Sequence, residues 1–101
     1  MAFSSRMKDP QVDKLFEAVL MLKDSEECYR FFDDLCTLGE VKALAQRLEV
    51  AKMLNANQTY ADISESTGAS TATISRVRRF LQSEAGGYRL VLKRLAEKGK
   101  R

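Results

Sequence analysis

The sequence predicts an all-α protein of six helices, and three observations carry that reading. Apolar residues recur at spacings of three and four over most of the chain, as one face of a helix requires. Capping residues punctuate those runs at regular intervals. No stretch alternates β-branched with polar residues long enough to make a strand, and Thr71-Ala72-Thr73-Ile74 is too short and too well capped to compete. A chain of 101 residues holds one domain with one core, or one subunit of a small dimer.

The first helix is read at about 10–23, from Val12, Leu15, Phe16, Val19, Leu20 and Leu22 on one face. Asp9 serves as its N-cap and Pro10 as its first residue, where a missing N–H costs nothing. Ser25 is read as the cap of the second helix, with Glu26 and Glu27 set against its N-terminal dipole. That helix runs to about Cys36 through Tyr29, Phe32 and Leu35. Thr37-Leu38-Gly39-Glu40 is a capping box, with hydroxyl and carboxylate each serving the other's backbone amide. The helix it opens carries Val41, Leu44, Ala45, Leu48, Ala51 and Leu54, and ends near Asn55.

Thr59 repeats the capping logic before a short helix through Ile63. Gly68 lies in a turn where a left-handed residue can end that helix. Ser70 or Thr71 caps the next, read at about 71–83. Gly86 and Gly87 break the chain again, and Tyr88, Leu90, Val91, Leu92 and Leu95 form a last helix at 85–97. The basic tail 98–101 is expected to fray. The whole of 1–101 is read as one domain, with 10–54 as dimerisation helices.

Residues 59–83 carry the chemistry. Two short helices joined by a glycine-containing turn match a helix-turn-helix. Ile63, Ile74 and Val77 would pack the pair together, and Ser64 would be small where they cross. At 100° per residue, Ile74, Val77 and Leu81 share the buried face of the second helix. Ala72, Ser75, Arg76, Arg79 and Ser83 point the other way, with Thr71 and Thr73 near the N-terminal end. No acidic residue occurs from Gly68 to Ser83, whereas Arg76, Arg78 and Arg79 all do. Small residues and hydroxyls let a helix approach base edges, and arginines reach guanine or phosphate. These features make a recognition helix.

Charge agrees with that reading. Residues 1–40 carry five basic and nine acidic side chains, and residues 41–101 carry twelve and five. A basic half suggests a polyanionic partner, nucleic acid or membrane surface. The membrane reading needs large apolar groups beside the basic face, and this face has none. Without histidine, imidazole catalysis and ligation are excluded. Cys28 and Cys36, eight apart, form no metal-binding pattern and suit a reducing compartment. No glycine-rich phosphate loop is present, so no enzyme, cofactor or metal site is expected. No apolar run nears the roughly 20 residues of a membrane span, and the N-terminus lacks a secretory apolar region. A cytoplasmic protein is expected.

The segment Thr67-Gly68-Ala69-Ser70-Thr71-Ala72-Thr73-Ile74-Ser75-Arg76 resembles the recognition segment of the tryptophan repressor family. Asp34-Leu35-Cys36-Thr37-Leu38-Gly39-Glu40 and the following residues to Arg47 resemble that family's entry into its central helix. The likeness spans about 10–95, is strongest over 35–81, and looks like the YerC/YecD group. It implies an intertwined all-α homodimer that presents two helix-turn-helix heads to a palindromic operator. In the repressor two arginines sandwich the corepressor indole, while a threonine and a serine hold its polar end. The resemblance carries these roles to Arg47, Arg76 and Thr37. Val77 stands where the family has glycine, and Phe80 where it has serine. Both changes argue against tryptophan as the ligand of this effector pocket, and another small-molecule corepressor stays open.

The sequence therefore predicts a DNA-binding transcriptional regulator, a repressor acting as a homodimer. Its DNA contacts are read as Tyr60, Ser70, Thr71, Ala72, Thr73, Ser75, Arg76 and Arg79. The alternative is a helix-turn-helix module that binds another protein without specific DNA binding.

Overall fold

A computed structural model describes residues 3–99, and six helices form with no strand among them. They are α1 (Pro10–Leu20), α2 (Ser25–Leu35), α3 (Leu38–Asn55), α4 (Tyr60–Thr67), α5 (Thr71–Leu81) and α6 (Gly87–Gly99). The chain divides into two compact units that part between Val41 and Lys42.

The caps set most of the boundaries. The Asp9 carboxylate accepts from Gln11 N at 2.9 Å and Val12 N at 3.2 Å, starting α1. Apolar periodicity carried the expected helix on to 23, yet α1 ends at Leu20. Its last turn tightens, with Met21 N bonding Ala18 O and Leu22 N bonding Val19 O, both at 3.1 Å. The chain must also straighten before α2, because its cap is Asp24, extended at φ −152 and ψ 177. Ser25 is thus the first residue of α2 rather than its cap. A carboxylate satisfies the Glu27 amide at 2.9 Å and adds a favourable charge at the helix dipole. Helix α2 ends at Leu35, with Cys36 extended after it.

The capping box of α3 forms as expected. Glu40 N donates to Thr37 Oγ1 at 3.1 Å, and Thr37 N donates to Glu40 Oε1 at 2.8 Å. Hydrogen bonding from the Thr37 backbone, most strongly, and from the Thr37 side chain holds the Glu40 carboxyl below its ordinary pKa. At its far end α3 closes in a Schellman turn. Gln58 N bonds Met53 O and Asn57 N bonds Leu54 O, both at 3.0 Å, around Asn57 at φ 63.

The second unit holds every described buried residue. Val50 and Ala51 of α3 meet Ile63 of α4, Ala69 of the turn, Ile74 and Val77 of α5, and Leu92 of α6. Burying an aliphatic side chain of this size contributes about 1.5–3 kcal/mol, so this cluster anchors the unit. Gln46 Nε2 donates to Thr67 O at 3.1 Å and ties α3 to the end of α4. In the first unit no described residue is buried, and Leu20, Tyr29 and Leu38 are each more than two-thirds exposed. Phe31 and Phe32 of α2 make an edge-on ring contact at 5.5 Å.

The last two helices also shift. Helix α5 stops at Leu81, two residues before the expected 83, as its last turn tightens with Gln82 N on Arg79 O at 3.3 Å and Ser83 N on Phe80 O at 3.2 Å. Arg89 donates to Leu81 O at 2.6 Å and to Ser83 O at 3.0 Å. Helix α6 starts at Gly87, after Gly86 at φ 66, and continues through Lys98 to Gly99. Lys98 and Gly99 are thus helical rather than frayed, and the rest of the expected tail lies outside the described residues.

Candidate nucleic-acid interface

Helices α4 and α5 form a helix-turn-helix whose every joint has a local cause. Thr59 Oγ1 accepts from Asp62 N at 3.1 Å and starts α4. Gly68 ends it at φ 74, with its N–H on Ser64 O at 2.8 Å. Thr67 Oγ1 braces the turn by donating to Ile63 O at 2.7 Å and accepting from Ala69 N at 3.1 Å. Ser70 caps α5 by accepting from Thr73 N at 3.1 Å.

Ile63, Ile74 and Val77 are buried between the helices, as the spacing predicts. The small buried residue of the motif is Ala69, whereas Ser64 is exposed. Ser64 therefore does not serve as the close-crossing residue that the sequence suggested. Its carbonyl holds the Gly68 amide, and its side chain is left on the outside.

The face of α5 turned from the core carries Thr71, Ala72, Ser75, Arg76 and Arg79, all exposed. Ser70 is exposed as well, but its hydroxyl is engaged twice: it caps α5 and donates to Thr73 Oγ1 at 3.1 Å. Thr73 is half-buried. The Arg79 guanidinium lies over the Phe80 ring, 5.4 Å from its centroid. Such stacking limits the conformations of a long side chain without consuming its charge.

Tyr60, the first residue of α4, is half-buried and packs against the core cluster. Hydrogen bonding from the Ser75 hydroxyl holds its phenol below the ordinary tyrosine range, and Arg78 adds to that effect. Tyr60 thereby links the two helices of the motif.

The residues assigned to an effector pocket are split between the two units. Thr37 lies in the first, as the cap of α3. Arg47, Arg76, Val77 and Phe80 lie in the second. Arg47 and Phe80 are half-buried and Arg76 is exposed. Val77 is 1% exposed and belongs to the core cluster.

The sequence reading left Arg78 and Arg89 out of its DNA contacts. Arg78 sits about 70° from the centre of the buried face of α5, a flank that helical projection alone treats as neutral. In the fold it is exposed beside the α3–α4 connection. Arg89 gave no signal, since its partners are carbonyls of another helix. No group of histidine, cysteine or carboxylate side chains among the described residues could hold a metal ion. No helix of the described residues is long and apolar enough to cross a membrane.

Comparison with known proteins gives consistent matches over nearly the whole chain. The family model of the Trp repressor protein matches residues 10–96. The chain is 54% identical over 92 residues to the uncharacterized protein YerC of Bacillus subtilis (strain 168), covering 91% of this chain and 88% of that one. It superposes on the crystal structure of a TrpR-like protein from Eubacterium eligens ATCC 27750 with a TM-score of 0.86 and 54% identity. That match covers 90% of this chain and 94% of the other. A provisionally named Trp repressor from Staphylococcus aureus gives a TM-score of 0.85 at 50% identity, over 90% and 91% of the two chains.

Proposed function

The chain belongs to the Trp repressor protein family, and on that premise we propose that it is a sequence-specific DNA-binding regulator of transcription. It acts in the cytoplasm as a homodimer, represses from a palindromic operator and performs no catalysis. The observation that carries this reading is the outward face of α5. Thr71, Ala72, Ser75, Arg76 and Arg79 stand exposed on a helix whose opposite side is anchored by buried Ile74 and Val77. Short side chains at the N-terminal half allow close approach to a major groove. The two arginines supply guanine or phosphate contacts. Ser70, Thr73 and Tyr60 join this surface at its edge.

The homodimer is supported by the first unit, whose apolar side chains stay exposed on a single chain. A second copy would cover them, as isologous association of small helical subunits does.

Selection of bound fragments from genomic DNA, followed by titration of the selected duplex, tests the proposal. Arg79→Ala and Arg76→Ala should each weaken binding by about 1–3 kcal/mol, with relaxed specificity where the arginine reads a base. No enriched sequence, or unchanged affinity in both variants, would overturn it in favour of a protein-binding module.

A further inference from the structure

Beyond the outward face of α5, a second basic feature lies at the C-terminal end of that helix. Leu54, Asn55, Asn57 and Gln58 from the end of α3 and its turn face Arg78, Leu81 and Gln82 of α5, with Arg89 of α6 beside them. They enclose a cleft of about 460 Å³. Two guanidinium groups and four side-chain amides line it, and no carboxylate does.

One arginine is held in place. Arg89 spends two of its five N–H donors on Leu81 O and Ser83 O, at 2.6 and 3.0 Å. Gly86 makes room for it, since a Cβ there would lie 3.1 Å from Arg89 Nη2. Those bonds offset the negative end of α5 that would otherwise repel an anion. Arg78 lines the cleft as well, and its guanidinium also hydrogen-bonds the Tyr60 phenol. The walls are fixed too, because the Schellman turn sets the backbone of Asn57 and Gln58. A helix cap accounts for Arg89 alone. It does not account for a second arginine, four amides and the lack of any acid in one concave site.

We propose that this cleft binds a phosphate group, through Arg78 and the N–H donors of Arg89 that the two carbonyls leave unused. Arginine suits the planar, bidentate recognition of phosphate oxygens. A concave positive site also concentrates anions. The phosphate comes either from the backbone of bound DNA or from a phosphorylated small molecule.

Two variants of the full chain test the site. Arg78→Ala removes one guanidinium, and Gln82→Glu places a carboxylate in the lining at almost unchanged volume. Pyrophosphate is titrated calorimetrically at constant ionic strength, with circular dichroism as the control for folding. Saturable binding that weakens at least tenfold in both variants supports the site. In the second arm, affinity for a duplex of arbitrary sequence is measured against salt. A slope reduced by about one in Arg78→Ala assigns the site to the DNA backbone, even where pyrophosphate fails to bind. An unchanged slope beside saturable pyrophosphate binding assigns it to a small molecule. Absence of saturable, variant-sensitive binding together with an unchanged slope overturns the proposal. The pyrophosphate arm stands apart from operator recognition, so either reading can fail without the other.

Discussion

At Gly68 the backbone takes φ 74, and a Cβ built there would meet nothing within 4 Å. Its requirement is therefore torsional, and Gly68→Ala should cost about 1–2 kcal/mol through the left-handed conformation alone. Gly86 has the same requirement at φ 66, but a Cβ there would also press on the Arg89 guanidinium at 3.1 Å. Gly86→Ala should cost more than Gly68→Ala, and Arg89→Ala should narrow that gap. Urea denaturation of the three single variants and the double variant checks the order. Glu40 supplies a pH signature. Its folded pKa is depressed below 4.5, so its stabilising contribution is present above that value and lost as pH falls through the folded pKa. Between about pH 6 and pH 3, Glu40→Gln should lose less stability than the parent chain, and the same loss in both would refute the assignment.

The helices show which parts of a sequence speak for themselves. Thr37 and Glu40, three apart, announce the start of α3 because the capping box needs only local geometry. Gly68 and Ser70 mark the turn of the helix-turn-helix for the same reason. The end of α1 was not legible, since Leu22 keeps the apolar rhythm after the backbone has left the helix. The end of α5 is capped by Arg89, eight residues beyond the carbonyl it takes at Leu81, and no local pattern encodes that bond. Within the interface, the outward face of α5 was legible from 100° projection, whereas the Arg78 flank was not. Val77 joins the two levels. Helical projection placed it in the core, and there it is, 1% exposed beside Val50 and Ile74. Val77→Ala removes two methylene-sized groups from a packed site and should cost about 2 kcal/mol. A side chain so committed leaves no opening of the kind glycine provides. L-Tryptophan at millimolar concentration should therefore leave the melting temperature unchanged, where occupancy at 100 times Kd would add about 2.7 kcal/mol. A saturable calorimetric signal with a raised melting point would show that the pocket survives.

Across the whole molecule, burial and charge are distributed unequally between the two units. All seven described core residues fall between Val50 and Leu92, and none lies in the first unit. Helices α1 and α2 nonetheless have strong apolar faces, with Phe16, Leu20, Tyr29 and Leu35 all exposed on the single chain. Isolated helices of 11 residues, as these are, are marginal in water, because nucleation is unfavourable and few hydrogen bonds follow it. A second copy that covers their apolar faces would supply the stability that such short helices lack. The acidic balance of residues 1–40 disfavours contact between this region and a polyanion. If a second copy covers these faces, folding and association are one equilibrium, and the melting temperature must rise with protein concentration. A tenfold increase in concentration then adds about 1.4 kcal/mol per mole of dimer to the association side. Leu20→Glu, on the most open part of α1, should remove that dependence while leaving the α3–α6 core able to fold. Sedimentation equilibrium of the parent chain should give twice the chain mass at micromolar concentration, with α1 and α2 helical by hydrogen exchange. A folded monomer whose melting point is independent of concentration, with α1 and α2 protected all the same, would mean that these helices are stabilised within one chain.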